Sequence, residues 1–133
     1  MRTIKFRAKD RWSEIWYYGS LLVNEMFGHT HIWDASLGYM EVDPKTVGQF
    51  TGLMDKHGEW IYEGDILKWE KDGLMYVVKF RKRMFYASVE ECNEGILGGF
   101  PLHALTVYED RKCEIVGNIY DNPELLKGMR NKK

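Results

Sequence analysis

The sequence predicts an all-β, mainly antiparallel protein built in two parts. Three observations carry this. Short runs alternate apolar and polar residues with a period of two, the strand signature. No long run has a clean helical period. Asp72-Gly73 stands between two strand-like runs in "DILKWEKDGLMYVVKF", and that dipeptide favours a two-residue type I′ hairpin turn. Residues 1–50 are expected to form an N-terminal β subdomain. It packs on residues 51–133, an SH3-like barrel with a short C-terminal helix.

In chain order, "TIKFRAKD" sets Ile4, Phe6 and Ala8 against Lys5, Arg7 and Lys9, a half-buried strand. After a polar turn, "IWYYGSLLV" reads as a second strand and "GHTHIWD" as a third. "VDPKTVG" is a turn or single helical turn, with Asp43 as cap and Pro44 at the first position. In "DKHG", Asp55 and Gly58 suit a type I turn with a bulge, where glycine takes positive φ without strain. "EGD", residues 63–65, is another break. Asp65 opens the next strand, where its carboxylate is expected to accept turn N–H groups.

A two-residue turn at Asp72-Gly73 places Lys71 opposite Leu74, Trp69 opposite Tyr76, Leu67 opposite Val78 and Asp65 opposite Phe80. Trp69, Tyr76, Leu67, Val78 and Phe80 then share the buried face, while Lys68, Glu70 and Lys79 lie on a wet one. "FYASVE" is a further strand presenting Phe85, Ala87 and Val89 on one side. "CNEGILGG" is a loop, "FPLHAL" holds a 3₁₀ turn and "CEIVGNIY" is the last strand. In "NPELLKG", Asn122 caps a brief helix, Pro123 starts it and Gly128 ends it. Four short strands and one helical turn within residues 60–122, starting at "GDILKW", suit the SH3-like barrel.

The 133 residues are enough to hide roughly two-thirds of the unfolded surface, so a real core is available. Aromatic residues at 14% and a net charge of −1 argue against disorder. The same charge means that the molecule as a whole steers no partner, so any attraction to nucleic acid is local. The two cysteines, Cys92 and Cys113, fit a reducing cytoplasm better than a disulfide scaffold, and neither sits in a Cys-x-x-Cys pair. "MRTIKFRAKD" has no apolar run behind it, so no secretory signal and no membrane span are expected.

Few constellations point to chemistry. His29 and His31, two apart on a strand, face one side and can both reach a metal, but Asp34, His57, His103 and the cysteines lack diagnostic spacing as further ligands. Glu59, Glu63, Asp65 and Glu70 supply acids, yet the hairpin separates Asp65 from Glu70, and Glu70 is followed directly by Lys71 where a nuclease pattern needs Glu-x-Lys. Ser13, Ser20 and Ser88 occupy no nucleophile elbow, and "GILGG" lacks the lysine of a phosphate loop. The densest basic run is "KFRKR", near a hairpin tip, with Tyr76, Phe80, Phe85 and Tyr86 close by. Its cations, Lys79, Arg81, Lys82 and Arg83, are the candidate nucleic-acid contacts, with the tail "KGMRNKK" adding positive charge.

Three blocks, "IKFRAKD", "DPKTVGQFTGLMDKHGEWIYEGDIL" and "CEIVGNIYDNPELL", together resemble the YopX family, small proteins of phages and prophages. The resemblance implies a YopX-like all-β protein working in a bacterial cytoplasm, and it implies no catalytic residue. The expectation is a phage-encoded accessory protein without cofactor that works by binding nucleic acid or, next, a protein. The alternative is a metal- or carboxylate-dependent hydrolase or nuclease. A homo-oligomer is left open.

Overall fold

The computed structural model describes residues 2–26, 28–106 and 113–127. The chain divides into two compact units, Met1–Gly52 and Leu53–Lys133. Strands β1 (Phe6–Lys9), β2 (Trp16–Asn24), β3 (His29–Asp34), β4 (Gly38–Glu41), β5 (Gly48–Met54) and β6 (Trp60–Tyr62) form a sheet of order β4-β3-β2-β1-β5-β6. β1–β2, β2–β3, β3–β4 and β1–β5 pair antiparallel. In the first unit Ala8, Tyr17, Ile32 and Val42 form the core, with Phe6, Leu21, Met40 and Val47 packed against them. Each comes from the inward positions of an alternating strand or from the turn that follows one.

Between β4 and β5, Pro44–Thr46 forms a 3₁₀ turn whose cap is Asp43, its carboxylate accepting the Lys45 N–H at 3.0 Å. The expected alternation around β1 holds for Phe6 and Ala8 and fails for Ile4 and Arg7. Ile4 is exposed, whereas Arg7 is only 6% exposed, with its guanidinium 4.8 Å from the Trp16 ring centroid. Trp16 on β2 covers what β1 alone would have left wet.

The second unit holds β7 (Asp65–Trp69), β8 (Met75–Arg81), β9 (Met84–Ser88), β10 (Gly99–Pro101) and β11 (Cys113–Asn118), ordered β10-β9-β8-β7-β11. This is an open five-stranded antiparallel sheet; among the described residues no ladder closes it into the expected SH3-like barrel. Its core centres on Ile61, Leu67, Tyr76, Val78, Ala87, Val89, Leu102 and Leu105. A 3₁₀ turn over Leu102–Leu105 supplies the last two.

The β7–β8 hairpin differs from expectation by two residues. Lys68 faces Met75, Leu67 faces Tyr76 and Ile66 faces Val77. Trp69 N–H donates to the Leu74 carbonyl at 3.0 Å and Gly73 N–H to the Trp69 carbonyl at 2.8 Å, so Glu70–Gly73 is a four-residue loop. Asp72 explains the longer loop: one carboxylate oxygen accepts the Leu74 N–H at 2.9 Å and the other accepts the Tyr76 hydroxyl. An even shift keeps every side chain on its face. Leu67, Tyr76 and Val78 are therefore buried as expected, and the Trp69 ring meets Tyr76 edge to face at 6.2 Å.

Two further expectations are corrected. Phe80 is 56% exposed rather than in the core, because it lies at the outer end of β8. The opposite face is not wet throughout: Ile66 and Val77 are buried there with Cys92, and Met75, Ile119, Leu125 and Leu126 pack against them. The C-terminal helix is a 3₁₀ turn over Pro123–Leu125, and Asn122 occupies the cap position without a side-chain cap bond. Its carboxamide oxygen accepts the Asn118 N–H at 3.1 Å, tying the turn back to the end of β11. Gly128 and the basic tail beyond it lie outside the described residues. Among the described residues no helix is long and apolar enough to cross a membrane.

Candidate nucleic-acid interface

β8 and β9 pair through Lys79 with Tyr86, Phe80 with Phe85 and Arg81 with Met84. That register leaves only Lys82 and Arg83 to make the turn. Their φ values are 52° and 66°, the left-handed backbone a two-residue type I′ turn requires. Asn and Gly usually fill these positions, because a Cβ in left-handed backbone crowds the following carbonyl at a cost of roughly 1–2 kcal/mol per residue. The chain thus places two exposed cations side by side at the tip, in a conformation that neither favours.

Strand alternation sorts the remaining residues. Lys79, Arg81, Met84 and Tyr86 share one face, with the Arg81 guanidinium carbon 5.1 Å from the Tyr86 ring centroid. Phe80 and Phe85 share the other, with ring centroids 5.1 Å apart at an interplanar angle of 70°. The ribbon therefore carries a cation stacked on an aromatic ring on one side, an exposed Phe80 against a half-buried, core-packed Phe85 on the other and two more cations at its end. Such a tip can neutralise phosphates, and its rings can stack on bases.

The structure brings Arg81, Lys82 and Arg83 together at the exposed tip and commits Lys79 elsewhere. The Lys79 ammonium is ion-paired with Glu91, whose other oxygen accepts the Ser88 hydroxyl. Burial raises the Glu91 carboxyl, but the hydrogen bonds from Lys79 and Ser88 outweigh it and leave the pKa below the usual glutamate value. Nothing in the run "KFRKR" signals this, since the partner lies twelve positions further along the chain. The split of Phe80 and Tyr86 onto opposite faces was readable from strand alternation alone.

The other candidates stand in strands and turns of the two units. His29 and His31 do share a face, with ring centroids 6.3 Å apart, and His31 meets Tyr39 edge to face. Among the described residues no group of three His, Cys, Asp or Glu side chains is placed to hold a metal. Asp65 is buried and accepts the Tyr62 N–H at 2.7 Å across the Glu63-Gly64 turn, while Glu59 and Glu70 are exposed. Asp55 went unremarked in sequence except as a turn residue. Its carboxylate accepts N–H groups from His57 at 2.9 Å, Glu59 at 3.0 Å and Ile115 at 3.0 Å, joining the β5–β6 turn to β11. Cys92 and Cys113 are both buried, and burial together with the Asp55 charge pushes the Cys113 thiol up to about 11, an unreactive state at neutral pH.

The arrangement of strands has a counterpart among solved structures. The crystal structure of protein EF1440 from Enterococcus faecalis is similar with a TM-score of 0.59, at 23% sequence identity, covering 94% of this chain and 99% of that one. At that identity the likeness speaks for the fold alone. No curated protein matches the chain in sequence. A family model described as YopX protein matches residues 5–127, and with nearly the whole chain inside that match, this protein belongs to the YopX family.

Proposed function

We infer that the protein is a non-enzymatic binding module that grips the phosphates of nucleic acid with the β8–β9 tip. One observation carries the reading: Lys82 and Arg83 both hold left-handed backbone at a turn where glycine or asparagine relieves strain. Backbone strain tends to persist at sites of function, and here it sets two exposed cations at the end of the ribbon beside Arg81. The sheet behind the tip is the rigid, SH3-like platform of this reading, and the loop is the contact surface. Membership of the YopX family supports an accessory role in a phage or prophage, carried out in the cytoplasm of the bacterial host.

The test compares the intact protein with a variant carrying Arg81→Ala, Lys82→Ala and Arg83→Ala, titrated into fluorescein-labelled single-stranded and duplex oligonucleotides. Binding should weaken alike for all sequences, because phosphate contacts carry no base information. Equal affinity of the two proteins, or no binding by either, removes the tip from consideration and favours a protein partner.

A further inference from the structure

The phosphate grip assigned to the β8–β9 tip leaves open which form of nucleic acid it takes, and the rings beside the turn bear on that choice; the inference rests on that grip. Of the three rings nearest the turn, Phe80 keeps the most surface open. Tyr86 is half-buried and lies under the Arg81 guanidinium. Phe85 is half-buried and packs against the core of the second unit. Phe80 is 56% exposed, although alternation sets it on the same face as Val78 and Ala87, which are 1% and 0% exposed. The core therefore ends between Val78 and Phe80, and the last ring of its face projects past it.

That ring is also held in place. Phe80 meets Phe85 edge to face, and Phe85 is fixed by the core behind it. Both residues belong to the paired part of the β8–β9 ladder rather than to the turn. A side chain fixed in advance loses little freedom when a partner settles on it. Phe80 stands two residues before Lys82, or roughly 7 Å along an extended chain. This is a reach comparable to that between a base and the phosphates that flank it.

A duplex offers phosphates to the tip cations as a single strand does. Its bases, however, are stacked on one another and show only their edges in the grooves. A phenyl ring has no donor or acceptor with which to read an edge. To stack, it has to be driven between base pairs, at the cost of the stacking it replaces. The tip brings only Arg81, Lys82 and Arg83 to hold a duplex while that happens. An unpaired base presents its face without that cost.

We propose that the tip takes single-stranded nucleic acid, with one unpaired base stacked on Phe80 while Arg81, Lys82 and Arg83 hold the neighbouring phosphates. Every base has a π face, so the contact separates single strands from duplex without separating sequences.

The experiment titrates the intact protein into fluorescein-labelled probes of equal length: a mixed-sequence single-stranded oligodeoxynucleotide, the same strand annealed to its complement, an abasic strand and the matching oligoribonucleotide. The base-bearing single strand should bind at least about fivefold more tightly than the abasic strand, and more tightly than the duplex. Phe80→Leu, which keeps an apolar cover over Phe85, should remove that advantage while leaving affinity for the abasic strand and the duplex unchanged. Phe80→Tyr should retain it. Thermal unfolding of both variants confirms that the ribbon is intact. The oligoribonucleotide should show the same dependence on Phe80, and the tighter of the two strands names the source. The Arg81→Ala, Lys82→Ala, Arg83→Ala variant should weaken every probe, so the phosphate grip and the stack are read separately. Equal wild-type affinity for the base-bearing and abasic strands, or a folded Phe80→Leu protein that keeps the preference, overturns the stack and leaves the grip standing. Failure of the wild type to bind any probe overturns both.

Discussion

Lys82 and Arg83 are the residues at which stability and the proposed binding pull in opposite directions. Each holds left-handed backbone at φ of 52° and 66°, and each carries a Cβ that this conformation disfavours. Replacing the pair by Asn-Gly removes the strain while keeping the two-residue turn. The double variant should therefore unfold at a higher temperature, by roughly 1–2 kcal/mol in stability, and bind nucleic acid more weakly. Thermal unfolding and oligonucleotide titration of the same preparation check both halves. A variant that is no more stable would show that the tip is not strained. Asp55 gives the contrasting case of a charged side chain whose role is structural. Its carboxylate accepts three backbone N–H groups from two parts of the second unit. Asp55→Ala leaves those donors without it and should cost on the order of 3 kcal/mol. Glu59→Gln, at an exposed position in the same turn, should stay within about 0.5 kcal/mol. Denaturant midpoints for the two variants decide it; equal midpoints would contradict the assignment of Asp55 as the staple.

At the scale of elements, the Lys79–Glu91–Ser88 linkage joins β8, β9 and the turn after β9. Because the folded-state pKa of Glu91 lies below its ordinary value of 4.5, its contribution to stability is present above that value. It is lost as the pH falls further, through the lower folded-state pKa. Glu91→Gln should reduce stability at neutral pH and flatten the acid limb of the stability profile below about pH 4.5. An acid limb identical to that of the wild type would place the titrating group elsewhere. The hairpins show how far the sequence could be read. Alternation located β7, β8 and β9 and assigned most faces, because a period of two follows from the geometry of an extended chain. Turn chemistry located glycines at positive φ, Gly58 at 79° and Gly73 at 70°. It misassigned the turn length, because Asp72-Gly73 was read as a two-residue turn when the Asp72 side chain supports four. The true two-residue turn, Lys82-Arg83, bears none of the residues that usually mark one. Its cations were legible as a cluster, whereas the diversion of Lys79 to Glu91 depends on tertiary packing that no local pattern encodes.

For the molecule as a whole, a net charge of −1 over 133 residues means that no long-range field draws a polyanion in. At physiological salt, charges more than about 8 Å apart are largely screened. Binding at the tip must then rest on the few cations that reach phosphates directly, and Lys79 is not among them because Glu91 holds it. Three contacts from Arg81, Lys82 and Arg83 fix the salt dependence through counterion release. The slope of log K against log salt should be roughly −2 on a single strand and roughly −3 on a duplex. Raising salt from 50 to 200 mM should then weaken single-strand binding by about 20-fold, far less than for a protein built around a broad basic face. Removing one tip cation should make the slope shallower by just under one, and removing all three should bring it close to zero. A titration series in sodium chloride on the wild type and the single, double and triple variants measures this directly. A wild-type slope much steeper than −3 that persists in the triple variant would move the phosphate contacts off the tip and onto some other part of the chain. A shallow slope that disappears stepwise with Arg81, Lys82 and Arg83 would count those three residues as the whole electrostatic interface.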